Sequence, residues 1–198
     1  MLKTALIKPF LLVISISCLA LLVQLLEPDS VALFRYQRDS VLQGEWWRIL
    51  TANFTHSSWN HLLLNLAGLL LIDYFYQPVI TQIHRACLLL FCMLFNVVLL
   101  HVILKLEWYV GLSGALHGYL VGGALLSFKR DKLINALILI VVTGKLFAEL
   151  NWDINQVTAE FIKSNVVEEA HLYGAISAII YFAIITSYRL FLKREKGA

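Results

Sequence analysis

Six stretches of the chain are apolar over about the length of a membrane crossing, at 10–26, 59–76, 83–104, 113–128, 133–150 and 171–190. A helix rises about 1.5 Å per residue, so a hydrocarbon core of about 30 Å takes roughly 20 residues, within a range of about 17–25. The pattern predicts an all-α membrane protein: one domain over 1–198, built as a bundle of six transmembrane helices. The fourth stretch is short, and short or glycine-interrupted spans tend to end in a cavity rather than in lipid. The first stretch lacks a small-x-small cleavage site, and Ser15-Ile16-Ser17-Cys18 is a poor lipoprotein signal, so it reads as an anchor. Two long polar connections remain. Residues 27–58 mix Trp46, Trp47, Arg48, Phe54 and His56, which suits a segment lying in the membrane interface. Residues 151–170 are polar and acidic, and are placed to cover a cavity mouth.

Composition agrees. Of 198 residues, 60% are hydrophobic and 15% charged, against about half and about a quarter in an ordinary soluble chain. Cys18, Cys87 and Cys92 all sit in apolar runs with no CxxC pair, and read as small core residues rather than a disulfide framework. Charge then sets orientation. An even number of spans puts Lys3, Lys8, Arg85, Lys129, Arg130, Lys132, Arg189, Lys193, Arg194 and Lys196 on one side, ten of the 16 cations. Arg35, Arg38, Arg48, Lys105, Lys145 and Lys163 fall on the other. Lys and Arg favour the cytoplasmic side. Both termini are therefore expected in the cytoplasm, with the start of span four and the start of span six facing outward.

Polar side chains inside spans are expensive and are functional candidates by default. His61 and Asn65 share one face of span two; Ser113 and His117 share one face of span four; His171 opens span six. Ser113 lies between two glycines in Gly111-Leu112-Ser113-Gly114-Ala115-Leu116-His117-Gly118. Glycine leaves room for a reactant beside the serine backbone, and the first N–H groups of a helix are free to stabilise an oxyanion. Gly114, Gly118 and Gly122 make a small-residue surface on span four, matched by Gly174, Ala175, Ser177 and Ala178 on span six. If those surfaces meet, His171 comes beside Ser113, where an imidazole can take the serine proton. His117, one turn from Ser113, competes for that role but is poorly aligned for attack on a third group, and better suits orienting water, serine or substrate. Lys145 and Glu149, four apart near the outer end of span five, read either as an intrahelical pair or as part of a substrate gate. His84 and His101 belong to no motif and read as structural or interfacial. Asp73 stands alone without a GxGD motif, and no HExxH is present, so aspartyl and zinc proteases gain no support.

GLSG at 111–114, AHLYG at 170–174, HSSWNHLLLN at 56–65 and Trp47-Arg48 together resemble the rhomboid intramembrane serine proteases, in that family's order. The resemblance implies a Ser113–His171 dyad with no acidic third member and no cofactor. It also implies an oxyanion site from His61, Asn65 and backbone N–H groups near Ser113, Leu112 included. By the same likeness, Gly111 and Gly114 shape the nucleophile loop, and Gly118 and Gly174 serve helix packing. Span five and the loop after it would gate a substrate helix. Ser177 departs from the glycine usual in the family, and His117 departs as well.

GLSGALHG on a bare six-helix core is similar to the rhombosortase branch. That likeness implies membrane-anchored substrates: secreted bacterial proteins ending in Gly-Gly, a hydrophobic helix and a basic tail, cut at the outer face of the inner membrane. Nothing suggests nucleic acid. Two other classes compete. One is a non-catalytic rhomboid relative that binds membrane proteins, against which the presence of both Ser113 and His171 argues. The other is a haem or quinone protein using His61, His117 and His171, which an absorbance spectrum would reveal.

Overall fold

The computed structural model describes residues 8–197, so Lys3, one of the cations used for orientation, lies outside the described residues. Six long helices carry the fold: α1 (Leu11–Leu25), α2 (Trp59–Tyr76), α3 (Gln82–Leu99), α4 (Ser113–Ser127), α5 (Lys132–Asn151) and α6 (Glu168–Gly197). The end of α3 widens into a π-turn over Leu100–Leu104. Side-chain caps open three of them. Ser58 accepts from the His61 N–H, Thr81 from His84 and Asp131 from Ile134, each satisfying one of the donors a helix start leaves free. α4 has no such cap, so the donors at Ser113 are left for something else.

Among the described residues, three helices are long and apolar enough to cross a membrane: Gln82–Leu104, Lys132–Asn151 and Glu168–Glu195. The other three expected spans fall short for identifiable reasons. α1 and α4 are 15 residues each. α2 is 18 residues but includes His61, Asn65 and Asp73, each strongly unfavourable in hydrocarbon. All three of those side chains are buried inside the protein.

α4 is the centre of the bundle, with its longest contact against α6 and the next against α3. The α4–α6 seam exists because its residues lack side chains. A Cβ at Gly174 would overlap the Gly114 carbonyl oxygen, and one at Gly118 would overlap the Gly174 carbonyl. Hydrogen alone at these positions lets the backbones touch. Ser177, also in the seam, is fully buried and turns its hydroxyl back to the Tyr173 carbonyl at 2.7 Å. α2 and α5 flank α4 from two sides and share little contact with each other, which leaves a cleft between them.

Asp73 is not alone. Arg85 Nη1 lies 2.5 Å from Asp73 Oδ2, and the Tyr119 hydroxyl donates to Oδ1 at 2.6 Å. Arg85 Nη2 donates to the Pro9 carbonyl at 3.1 Å, so the cluster joins α2, α3, α4 and the approach to α1. Sequence separation hid this pairing. Arg85 is 1% exposed and Arg48 7%, so neither acts as a loop cation. The orientation count drops by one on each side, from ten and six to nine and five, and keeps its sign.

The connection over 27–58 winds into short helices at Asp29–Phe34, Arg38–Leu42, Arg48–Thr51 and Ala52–Phe54. Trp46 and Trp47 are exposed, as an interfacial segment requires, but Arg48, Phe54 and His56 are buried. That part of the interfacial expectation is corrected. Arg48 is drawn inward because its guanidinium pairs with Glu45 and donates to the carbonyls of Ala32 and Arg35, both at 2.9 Å. β1 (Tyr36–Gln37) pairs antiparallel with β2 (Trp108–Tyr109), matching Tyr36 to Tyr109. This small ladder pins the segment that leads into Ser113.

Candidate active site

Gly111 turns the chain into α4 with φ +112°, a left-handed conformation that favours glycine. Its N–H donates to the Ala52 carbonyl at 2.9 Å. A Cβ there would stand 2.7 Å from His61 Cε1, so a side chain would collide with the His61 imidazole. Leu112, 1% exposed, anchors the turn in the core. Ser113 then opens α4 at the floor of a cavity of about 570 Å³. His61, Asn65, His117, Lys145, Glu149 and His171 share that cavity, with residues of 151–170 along its rim. Ser58 Oγ donates to the Ile162 carbonyl at 2.7 Å, with Ser57 Oγ 3.1 Å from the same oxygen, which ties this rim to the start of α2.

The α4–α6 seam brings two sequence candidates together. His171 Nε2 lies 3.2 Å from Ser113 Oγ. On the far side of the ring, His171 Nδ1 lies 3.0 Å from Glu149 Oε2. A carboxylate only accepts, so Nδ1 carries the ring proton and Nε2 offers its lone pair to the serine hydroxyl. The Glu149 carboxylate is 1% exposed, and its other oxygen lies 2.5 Å from Lys145 Nζ. Lys145 and Glu149 are therefore an intrahelical pair, and Glu149 is also more than that. The implied absence of an acid beside His171 is corrected: the histidine faces a buried carboxylate.

His117 takes a different position. Its Nδ1–H donates to the Ser113 carbonyl oxygen at 2.8 Å, and its hydrogen bond does not go to the hydroxyl. Its ring stacks on His171, with centroids 4.0 Å apart and planes inclined by 22°. His117 thus sits as a plate behind the His171 ring. The ligand atoms of His117, Glu149 and His171 lie within 4.8 Å of one another, close enough to suggest a metal. Imidazole lone pairs lie in the ring plane, however, and two nearly parallel stacked rings do not point them at a common centre. The geometry suits proton transfer better than coordination.

The expected oxyanion donors lie across the cavity from that pair. His61 Nδ1 accepts from the Ser57 N–H at 3.4 Å and also contacts Ser57 Oγ at 2.9 Å, which leaves the proton on Nε2. A Cβ on Gly111 would lie 2.8 Å from that Nε2 and 3.8 Å from Asn65 Nδ2, so both donors gather beside the nucleophile turn. Asn65 Nδ2 is buried and has no partner. A buried donor without an acceptor is costly, and an oxyanion would satisfy it.

A family model described as Rhomboid domain matches residues 43–188. The chain belongs to the rhomboid family. The match runs from the short helices ahead of α2 almost to the end of α6, and it assigns this rhomboid to a family of serine intramembrane proteases acting on membrane proteins. No curated protein matches the chain. Sequence reasoning about this rhomboid missed the contact of Glu149 with His171, and it missed Ser57, which sets the His61 tautomer. The spacing of Lys145 and Glu149 hinted at a pair. Only the packing of α6 against α5 brings the acid to His171.

Proposed function

We propose that this rhomboid is an intramembrane serine endopeptidase in which Ser113 is the nucleophile and His171 the general base. The observation that carries the reading is the 3.2 Å approach of His171 Nε2 to Ser113 Oγ, in a cavity that also holds free donors from His61 and Asn65. Ser113 Oγ attacks the scissile carbonyl carbon while His171 takes its proton. The carbonyl oxygen gains charge beside His61 Nε2–H, Asn65 Nδ2 and the uncapped N–H groups of α4. The C–N bond breaks as His171 returns the proton to the amine. Water then repeats the cycle and frees the serine.

In this reading all six long helices lie in the membrane, α4 buried among its neighbours while α1 and α2 turn exposed apolar faces such as Leu19, Leu22, Leu63 and Leu71 to lipid. Both termini are cytoplasmic, and the cavity opens at the outer face of the inner membrane. The cleft between α2 and α5 supports lateral access by a substrate helix, with Leu64 and Gly68 of α2 lining the way toward Ser113. The tight turn at Gly111, packed against the His61 ring, suits a substrate without side chains at the cut, such as the Gly-Gly pair ahead of a C-terminal hydrophobic helix and basic tail. The test reconstitutes the protein in liposomes with a reporter bearing such a tail and sequences the product by mass spectrometry. Cleavage at the glycines that disappears with Gly-Gly→Val-Val supports this substrate class. Equal cleavage of both reporters contradicts it.

A further inference from the structure

We infer that Glu149 is a positioning residue that converts the Ser113–His171 pair into a three-membered relay, with Lys145 fixing which oxygen does the work. The inference rests on the proposed roles of Ser113 and His171. Its observations are its own: Oε2 of Glu149 accepts from His171 Nδ1 at 3.0 Å, Oε1 meets Lys145 Nζ at 2.5 Å, and the carboxylate is 1% exposed.

Each contact has a consequence. The carboxylate can only accept, so His171 is held as the Nδ1–H tautomer with its Nε2 lone pair on Ser113. When Nε2 takes the serine proton, the positive ring forms beside a negative group out of water, where the attraction is large. Glu149 keeps its charge throughout and receives no proton. The stacked His117 ring limits tilting in one direction, and the Glu149 bond limits rotation in the plane. Lys145 is donor-only, and it is the half-exposed member of the pair, its side chain 43% accessible beside the cavity. Occupying Oε1, it leaves Oε2 for the histidine.

This arrangement predicts an unusual pattern among variants. In Glu149→Gln, Lys145 captures the amide oxygen and turns the amide NH₂ toward His171. The NH₂ donates to Nδ1, moves the ring proton to Nε2 and blocks acceptance of the serine proton. Adding Lys145→Met releases the amide to flip, so its oxygen can again accept from Nδ1–H. The double variant is then expected to exceed the single one. Simple loss of an intrahelical ion pair predicts no such recovery.

A fluorophosphonate probe reads the effect without a natural substrate. Ser113 Oγ forms a bond to phosphorus, fluoride leaves, and His171 accepts the hydroxyl proton, so the saturating rate reports the relay and the half-saturating concentration reports probe binding. The expectation for Glu149→Gln is a loss of about 10²–10⁴-fold in the saturating rate with little change in the binding constant. Lys145→Met/Glu149→Gln should recover at least about tenfold of that loss, since a flipped amide restores the working tautomer. A Glu149→Gln rate within about threefold of wild type overturns the inference, as does a double variant no faster than the single one. Ser113→Ala and His171→Ala run alongside; labelling that survives in both removes the underlying protease reading instead. Because a variant can fail to fold, ¹⁵N-histidine NMR of the wild-type protein supplies an independent arm. A proton on His171 Nδ1 at neutral pH supports the relay, and a proton on Nε2 overturns it.

Discussion

Gly174→Ala is the smallest change that should separate the candidate catalytic groups without touching either. The added methyl would overlap the Gly114 carbonyl oxygen and press within 3.3 Å of the Gly118 nitrogen. Those atoms are backbone and cannot rotate away, so α4 and α6 must part by about 1 Å or more to reach an ordinary contact distance. Ser113 opens α4 and His171 lies one turn before Gly174 on α6. Their 3.2 Å contact would therefore stretch past hydrogen-bond length. Misplacement of about 1 Å can cost on the order of 10²-fold in rate. Overpacking of this kind destabilises by about 1–3 kcal/mol. Gly144→Ala is the matched control: it lies within α5, and a Cβ there meets nothing within 4 Å. Removing that glycine should stabilise by up to about 1 kcal/mol. The assay is the fluorophosphonate labelling rate with thermal unfolding in the same detergent. Wild-type labelling and an unchanged midpoint for Gly174→Ala would refute the claim that the glycine seam sets the Ser113–His171 distance.

Two predictions concern other parts of the molecule. Asp73→Asn leaves the Arg85 guanidinium buried without its counter-charge and should destabilise the protein by about 3–5 kcal/mol, whereas Asp73→Leu combined with Arg85→Leu should cost less than the sum of the singles in thermal unfolding. His56 precedes α2 outside the spans, and burial, reinforced by the neighbouring His61, pushes its imidazole from the usual 6.5 down to about 3. Unfolded chains take up that proton below pH 6.5 while the native protein does not. Stability should therefore fall as pH drops from 6.5 toward 3, by up to about 1.4 kcal/mol per pH unit for this group. His56→Gln should flatten the slope, and an unchanged slope in chemical denaturation would remove His56 as its source.

Much of the chemistry was legible because it lies in short, local patterns. A glycine turn into a helix marks Ser113, and the small-residue faces of α4 and α6 foretell a close seam. Other features depend on angles that a sequence does not encode locally. Glu149 has the spacing of an ordinary helix pair with Lys145, and only the approach of α6 gives it His171. Asp73 and Arg85 meet across a turn between two helices, so each looked solitary along the chain. Arg48 looked interfacial because its neighbours Trp46 and Trp47 are exposed, while its own carbonyl partners come from a turn more than ten residues upstream. The strong apolar spans were plain from hydropathy. α2 falls below that standard because of its polar residues: His61 and Asn65 give the cavity its donors, and Asp73 pairs with Arg85.

The most direct test of the central claim is fluorophosphonate labelling of the detergent-solubilised protein, followed by mass spectrometry of the modified peptide. One adduct on Ser113, lost in Ser113→Ala and in His171→Ala while His117→Ala still labels, is the predicted result. No adduct on folded wild-type protein, or an adduct that persists without His171, would contradict the assignment of Ser113 and His171 as nucleophile and base.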